Sequence, residues 1–248
     1  MSPQILTMTS TKARPDKLVR MIRSFEQTSK ADNKLVIYCS ETDTKISEYR
    51  ALPDDIQKYL EYGPHKYLVQ VYNYFAIEKY PGLEFYKELH DDHICITDNW
   101  DNELMKTINE KGNGWGVAVP NDTIDPTFSS QNPGGFMMSG KLVRALGWVL
   151  LPSLTAISTD STLRGILLPL GLMFPREDIV IDHVCWHDGK RGFGARVSQD
   201  ESSKWSYSAE ANEQARRGMI GFNSNEHTLR IKTIMNADLR TRGLKEVL

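Results

Sequence analysis

The sequence predicts an α/β domain: a mostly parallel central sheet flanked by helices, followed by a short C-terminal extension. Three observations point to it. Short apolar runs alternate with stretches whose apolar residues fall at helical spacing, the rhythm of strand, loop and helix. The polar clusters sit at the C-terminal ends of the apolar runs, where α/β sheets gather their ligand sites. The length, 248 residues, suits one domain of the larger kind, and 40% apolar with 25% charged residues is the composition of a folded chain.

Taken in order, Ile5 to Thr9 (ILTMT) reads as the first strand, and Ser10 to Pro15 as a polar loop. From Asp16 the chain carries Leu18, Met21, Ile22 and Phe25, one face of a helix. Lys34 to Cys39 (KLVIYC) is a second strand, ending in the turn-rich Ser40 to Asp43. Ile46 to Tyr62 reads as helix interrupted by Pro53, and Tyr67 to Tyr80 as a helix with Leu68, Val71, Tyr72 and Phe75 on one face, stopped by Pro81-Gly82. Glu84 to Leu89 and Ile94 to Thr97 bracket a polar tetrapeptide. Trp115 to Val119 is a strand and Phe136 to Ser139 a short apolar piece. Leu142 to Leu151 reads as a helix, Leu163 to Leu168 as an apolar helical run, and Ile179 to Trp186 as a strand.

The charge balance, 30 Lys and Arg against 32 Asp and Glu for a net −2, argues against a surface coated for bulk nucleic-acid binding. That neutrality is an average. From Lys204 onward eight basic residues face five acidic ones, a net +3, which leaves −5 for residues 1–203. Residues 204–248 are therefore expected to form a basic, helical extension. No apolar run reaches the roughly 18 to 20 residues that span a bilayer. The best, Leu142 to Ile157, is broken by Arg144, Pro152 and Ser153, and Met1 to Met8 lacks the pattern of a signal peptide. Cys39, Cys95 and Cys185 form no C-x-x-C pair, and each lies in an apolar run, so buried free thiols and a cytoplasmic location are expected.

The sharpest feature is His90-Asp91-Asp92-His93. Two carboxylates and two imidazoles in four residues cannot all be buried without partners. A mixed carboxylate and imidazole set suits Mn²⁺ or another transition metal, and carboxylates alone suit Mg²⁺ as well. A second cluster lies ninety positions on, where Asp182 and His183 interrupt IVIDHVCW and His187 follows. Each alone reads equally as a solvated turn or a satisfied core histidine; together they offer one cation ligands from two strand ends.

The order of these features resembles the GT-A fold, nucleotide-sugar-dependent glycosyltransferases, over roughly residues 3–207. ILTMTSTKARPDKLVRMIRSF is similar to that family's opening strand, nucleotide-contacting loop and helix, which implies nucleotide contacts at Thr9, Ser10, Thr11 and Arg14. Asp43, closing KLVIYCSETD, matches the acidic turn that meets the base. Asp91-Asp92-His93 corresponds by position to the Asp-X-Asp motif, departing from it at the last residue. The resemblance implies a divalent metal, Mn²⁺ or Mg²⁺, held by Asp91, Asp92, His93 and His183, with His187 competing for the last place. It also implies that Asn73 faces the nucleotide and that Gly134-Gly135 form the loop meeting sugar and acceptor. Trp100 and Trp148 are candidates to stack on a sugar or base, and Lys12, Arg14, Lys190 and Arg191 to stabilise the diphosphate.

Asp160 precedes Ser161-Thr162 and an apolar helical run, so it reads as a helix N-cap. In the family an acidic residue at such a helix start is the general base of inverting transfer. The implied activity is transfer of a sugar from a nucleoside diphosphate sugar, UDP-sugar by default, to an acceptor hydroxyl on a saccharide or a hydroxymethylated DNA base. Two other readings compete: a metal-dependent phosphohydrolase or nuclease built on HDDH, and a nucleotide-sugar-binding module without catalysis.

Overall fold

Eight strands form one sheet in the order β3-β2-β1-β4-β7-β6-β8-β5, in a computed structural model that describes residues 4–123, 134–156, 158–184 and 209–246. The strands are β1 (Ile5–Thr11), β2 (Asn33–Ser40), β3 (Leu60–Gly63), β4 (Phe85–Glu88), β5 (His93–Cys95), β6 (Val117–Asn121), β7 (Met137–Ser139) and β8 (Met173–His183). β3, β2, β1 and β4 run parallel, as do β6 and β8. β7 is antiparallel to both its neighbours, and β5 is antiparallel to β8. The sheet is therefore mixed, with parallel pairings in the majority.

β1 and β2 are buried along most of their length, which is why they read as near-continuous apolar runs. Between them α1 (Pro15–Thr28) starts with proline in its first turn and buries Leu18, Met21, Ile22 and Phe25. The helix expected over Ile46 to Tyr62 is instead α2 (Ile46–Arg50), α3 (Asp54–Gln57) and the strand β3. Pro53 breaks the helix, and four residues of strand are too few to show a period of two. α4 (Leu68–Asn73) widens into a π-helical turn over Tyr74–Lys79. The sequence reading passed over α5 (Trp100–Gly112).

The helix expected to reach Leu151 stops early. α6 (Gly140–Leu146) is closed by Gly147 at φ 83°, a left-handed cap that suits glycine. α7 (Thr159–Leu167) runs into a 3-10 turn over Leu168–Leu170. The described part of the extension, residues 209–246, holds two helices, α8 (Ala209–Gly218) and α9 (Ser224–Thr241). Ile231, Met235 and Leu239 of α9 belong to the main hydrophobic core, and Asp238 accepts hydrogen bonds from Trp115 Nε1 and Lys141 Nζ at 2.8 and 2.7 Å.

Cys39 and Cys95 are buried free thiols, as expected, each pushed up to about 12 by burial. Cys185 lies outside the described residues. Among the described residues no helix is long and apolar enough to cross a membrane.

Candidate cation and nucleotide site

β4 delivers Glu88 to the top of the sheet, and residues 89–92 cross to β5. His93 N–H donates to His90 O at 3.1 Å, tightening the crossing into a turn. β5 then pairs with β8 so that His93 stands opposite His183. Val184 N–H donates to Asp92 O at 2.9 Å and His183 N–H to Asp122 O at 3.1 Å, tying together the turn, β6 and β8.

Among the described residues, His90, Asp92, His93 and His183 bring one donor atom each to within 4.8 Å of one another. His90 stacks on His93 at 4.5 Å between ring centroids, and His183 meets both edge-on. Asp92 Oδ1 lies 3.4 Å from His183 Nε2, and its Oδ2 accepts from Arg14 Nη1 at 2.9 Å. Asp91, by contrast, is held outside this group. Its Oδ1 accepts from the same Arg14 nitrogen at 3.1 Å and its Oδ2 from Thr11 Oγ1 at 2.8 Å. Of the expected ligands Asp91 therefore lies outside this group, and His90, which was not among them, lies within it.

Burial separates the two carboxyls. Burial and the charge of Asp92 raise Asp91 above the usual range, against Arg14 and Thr11. Burial opposes ionisation of Asp92 too, but His183, Arg14 and His93 outweigh it and hold Asp92 well below that range. Burial, His90 and His183 drive His93 strongly towards its neutral form. At His90 burial works against the imidazolium, but Glu88 at 3.2 Å prevails and raises it. An ionised carboxylate beside a neutral buried imidazole is the protonation state that cation binding requires.

The residues fit a divalent cation. Three imidazoles and one carboxylate are a donor set for a transition metal, Mn²⁺ included, more than for Mg²⁺. The Nε2 of His93 is buried without a hydrogen-bond partner, an atom whose burial a ligand would offset. One contact must change: His93 Nδ1 accepts the His90 N–H at 3.2 Å, and ligation through Nε2 places the ring proton on Nδ1 instead.

The nucleotide candidates divide. Asp43 ends the turn after β2 and accepts Ala13 N–H at 2.9 Å and Lys45 N–H at 2.8 Å, binding the first loop to the second. Arg14 N–H donates to Tyr49 Oη at 2.8 Å, and Thr11 Oγ1 lies 2.8 Å from the same hydroxyl. Thr11 and Arg14, which bond the aspartates directly, are thus joined to each other by Tyr49, a residue absent from the expected site. Ser10 is half-buried near the end of β1, whereas Thr9 is fully enclosed, its hydroxyl without a partner.

Three of the candidates are engaged within the fold. Trp100 is fully buried, packs against Phe25 and donates through Nε1 to Thr28 Oγ1 at 3.1 Å, so its ring is not presented to a sugar. Trp148 is buried as well. Asn73, expected to face the nucleotide, is engaged by the backbone of residues 149–150. It donates to Leu150 O at 2.7 Å and accepts Val149 N–H at 2.8 Å and Leu150 N–H at 3.2 Å, holding that segment to α4.

Gly134 lies beside Asp122, and the Gly135 peptide lies against His93: a Cβ on Gly135 would stand 3.0 Å from His93 Cε1. The close approach that the glycine permits is to a protein ring. Asp160 sits in the first turn of α7 with Ser158, not Asp160, at the cap, and it accepts Ser161 N–H at 2.8 Å. Burial, with the charge of Glu88, raises its carboxyl above the usual range, while His90 partly offsets the rise. His187, Lys190 and Arg191 lie outside the described residues. Glu88 and the fully buried Lys87 were missed; their signal was a charged pair inside the apolar strand FYKEL.

No protein-family model matches the chain, and no curated protein matches it in sequence. Solved structures do match in shape. A mannosyltransferase from Pyrobaculum calidifontis, PcManGT in complex with GDP-Man and Mn²⁺, superposes with a TM-score of 0.55 at 10% identity, covering 99% of this chain and 77% of its own. TarS residues 1–349 from S. aureus superposes with a TM-score of 0.51 at 10% identity, covering 97% and 74%. Its complex with UDP-GlcNAc gives 0.50 at 10% identity with the same coverage. The likeness is one of fold, and the fold of this chain is that of the GT-A glycosyltransferases.

Proposed function

We propose that the chain is a metal-dependent glycosyltransferase that moves a sugar from a nucleoside diphosphate sugar to an acceptor hydroxyl. The observation that carries this reading is the convergence of His90, Asp92, His93 and His183 where β4 ends, β5 begins and β8 ends. Thr11 and Arg14, where β1 passes into the first loop, bond the aspartates beside it, and Asp43 holds that loop from the turn after β2. The chemistry a divalent cation supplies at such a place is Lewis-acid neutralisation of a departing diphosphate. The residues of the chain do the rest. Asp43 keeps the first loop closed on the second, and Arg14 adds a guanidinium that suits phosphate oxygens. The neighbours' complexes hold GDP-Man and UDP-GlcNAc; a UDP-sugar is the first donor to test.

Asp160 is the proposed general base, and transfer then inverts the anomeric carbon by direct displacement. Its position in the first turn of a helix holds the carboxylate, and burial raises its affinity for a proton, as a base needs. The acceptor proposed is a saccharide rather than DNA. In the extension Arg216 and Arg217 pair with Glu213, Arg240 with Glu246 and Arg242 with Asp238, so much of the basic charge is matched within it. A phosphohydrolase of the helical His-Asp kind is disfavoured because the cluster joins two strands.

The test is a screen of nucleotide sugars for binding and hydrolysis with Mn²⁺, with Mg²⁺ and with chelator. Metal-dependent binding of at least one donor is expected. A protein that binds donor in the presence of metal but gives the same turnover with Asp160→Asn is not using the proposed base.

A further inference from the structure

We infer that Glu88 is a positioning residue for the cation site, orienting His90 directly and His93 through the Gly135 peptide. The inference rests on the reading of the histidine cluster as a cation site. Glu88 ends β4, is 4% exposed, and uses both carboxylate oxygens. Oε1 lies 3.2 Å from His90 Nε2, and Oε2 accepts the Gly135 N–H at 3.1 Å. The Gly135 carbonyl is in turn gripped by Nζ of the fully buried Lys87, which also donates to the Glu88 carbonyl. The last two residues of β4 thus hold one residue, Gly135, by its N–H and its C=O.

That residue lies against His93. Gly135 adopts φ +56°, and its hypothetical Cβ would meet His93 Cε1 at 3.0 Å and Nδ1 at 3.5 Å. Only a glycine backbone approaches the ring this closely without displacing it. One carboxylate therefore bonds one histidine of the cluster and fixes the wall behind another. A histidine that binds a metal almost always gives its other ring N–H to a carboxylate or carbonyl, which sets its tautomer. With Nε2–H directed to Glu88, the lone pair of His90 is left on Nδ1. Nζ of Lys87 donates to the backbone carbonyls of Glu88 and Gly135, while the oxygens of the Glu88 carboxylate meet His90 and the Gly135 N–H. The carboxylate is thus available to a histidine, and a buried carboxylate needs such partners.

The experiment compares wild-type protein with Glu88→Gln, titrating Mn²⁺ by the loss of its free-ion electron paramagnetic resonance signal and Co²⁺ by visible absorption. The glutamine is near-isosteric, but its single carbonyl oxygen cannot serve both His90 and Gly135. Mn²⁺ binding should weaken about 10- to 100-fold, the usual cost of losing an outer partner of a ligand, and the Co²⁺ spectrum should change. Equal affinity and equal spectra in the two proteins overturn the inference, even if the variant melts lower, because a purely structural role moves stability and not the site. If the wild type binds neither ion, the cation-site reading itself is wrong. A measurement on the wild type alone covers a variant that fails to fold: long-range proton–nitrogen correlation of the histidine rings in metal-free protein, at a pH where His90 is neutral, should show it protonated at Nε2 and not at Nδ1. A neutral His90 carrying its proton on Nδ1 overturns the inference.

Discussion

His93 of β5 and His183 of β8 stand opposite one another across an antiparallel pair, their rings 4.6 Å apart and nearly perpendicular. The register brings together residues ninety positions apart in the chain. A slip of one residue would send one of the two imidazoles to the other face of the sheet. The pairing of β5 with β8 therefore brings the two halves of the site together.

Replacing His183 by alanine removes a donor and leaves the sheet pairing, which runs through the backbone. Mn²⁺ binding, read by calorimetry, should fall by more than the roughly 10- to 100-fold typical of outer-partner changes. The far-ultraviolet circular dichroism should be unchanged.

Asp160→Asn keeps the size of the side chain and removes the base. The rate of transfer should drop about 10²- to 10⁴-fold, with the donor dissociation constant within twofold of wild type. Loss of donor binding in step with rate would make Asp160 a structural residue.

Lys87 sets an alkaline pH dependence. Burial lowers it from the usual 10.5 to about 8, so between those values the unfolded chain binds the proton and the folded chain does not. Stability then rises with pH through that window, and below it the folded state carries the cost of a buried ammonium, on the order of 3 kcal/mol in full. The melting temperature of the wild type relative to Lys87→Met should climb between pH 8 and 10; a constant difference would mean that Lys87 does not titrate in that range.

Trp100→Phe tests the correction to the expected sugar contact. It deletes the indole N–H that donates to Thr28 and should cost about 1 to 3 kcal/mol of stability by denaturant melts. Donor affinity of the folded protein should stay the same. A selective loss of donor binding would return Trp100 to the site.

What the sequence made legible was the pairing of polar residues with apolar runs. HDDH and IVIDH stood out because charged groups inside strands need partners, and the structure does bring Asp92, His93 and His183 together. The strand–loop–helix opening was legible from the spacing of Leu18, Met21, Ile22 and Phe25. Direction was not. Nothing in the order of Asp91 and Asp92 says that Arg14 and Thr11 claim the first while the second turns to His183. The role of Gly135 depended on β7 lying beside β4, a long-range antiparallel pairing that local periodicity does not encode. The partners of Trp100 and Asn73 were hidden for a related reason. Their chemistry suits ligands, but each satisfies a partner elsewhere in the fold, Thr28 for one and the 149–150 backbone for the other.

The most direct test of the account is calorimetric titration of UDP and UDP-sugars into the protein with Mn²⁺ present and again with excess chelator. The account predicts a donor that binds with Mn²⁺, is lost with chelator, and is equally lost in His183→Ala with Mn²⁺ present. Binding that survives chelator and the His183 substitution alike would contradict it, as would the absence of binding by any nucleoside diphosphate or nucleotide sugar.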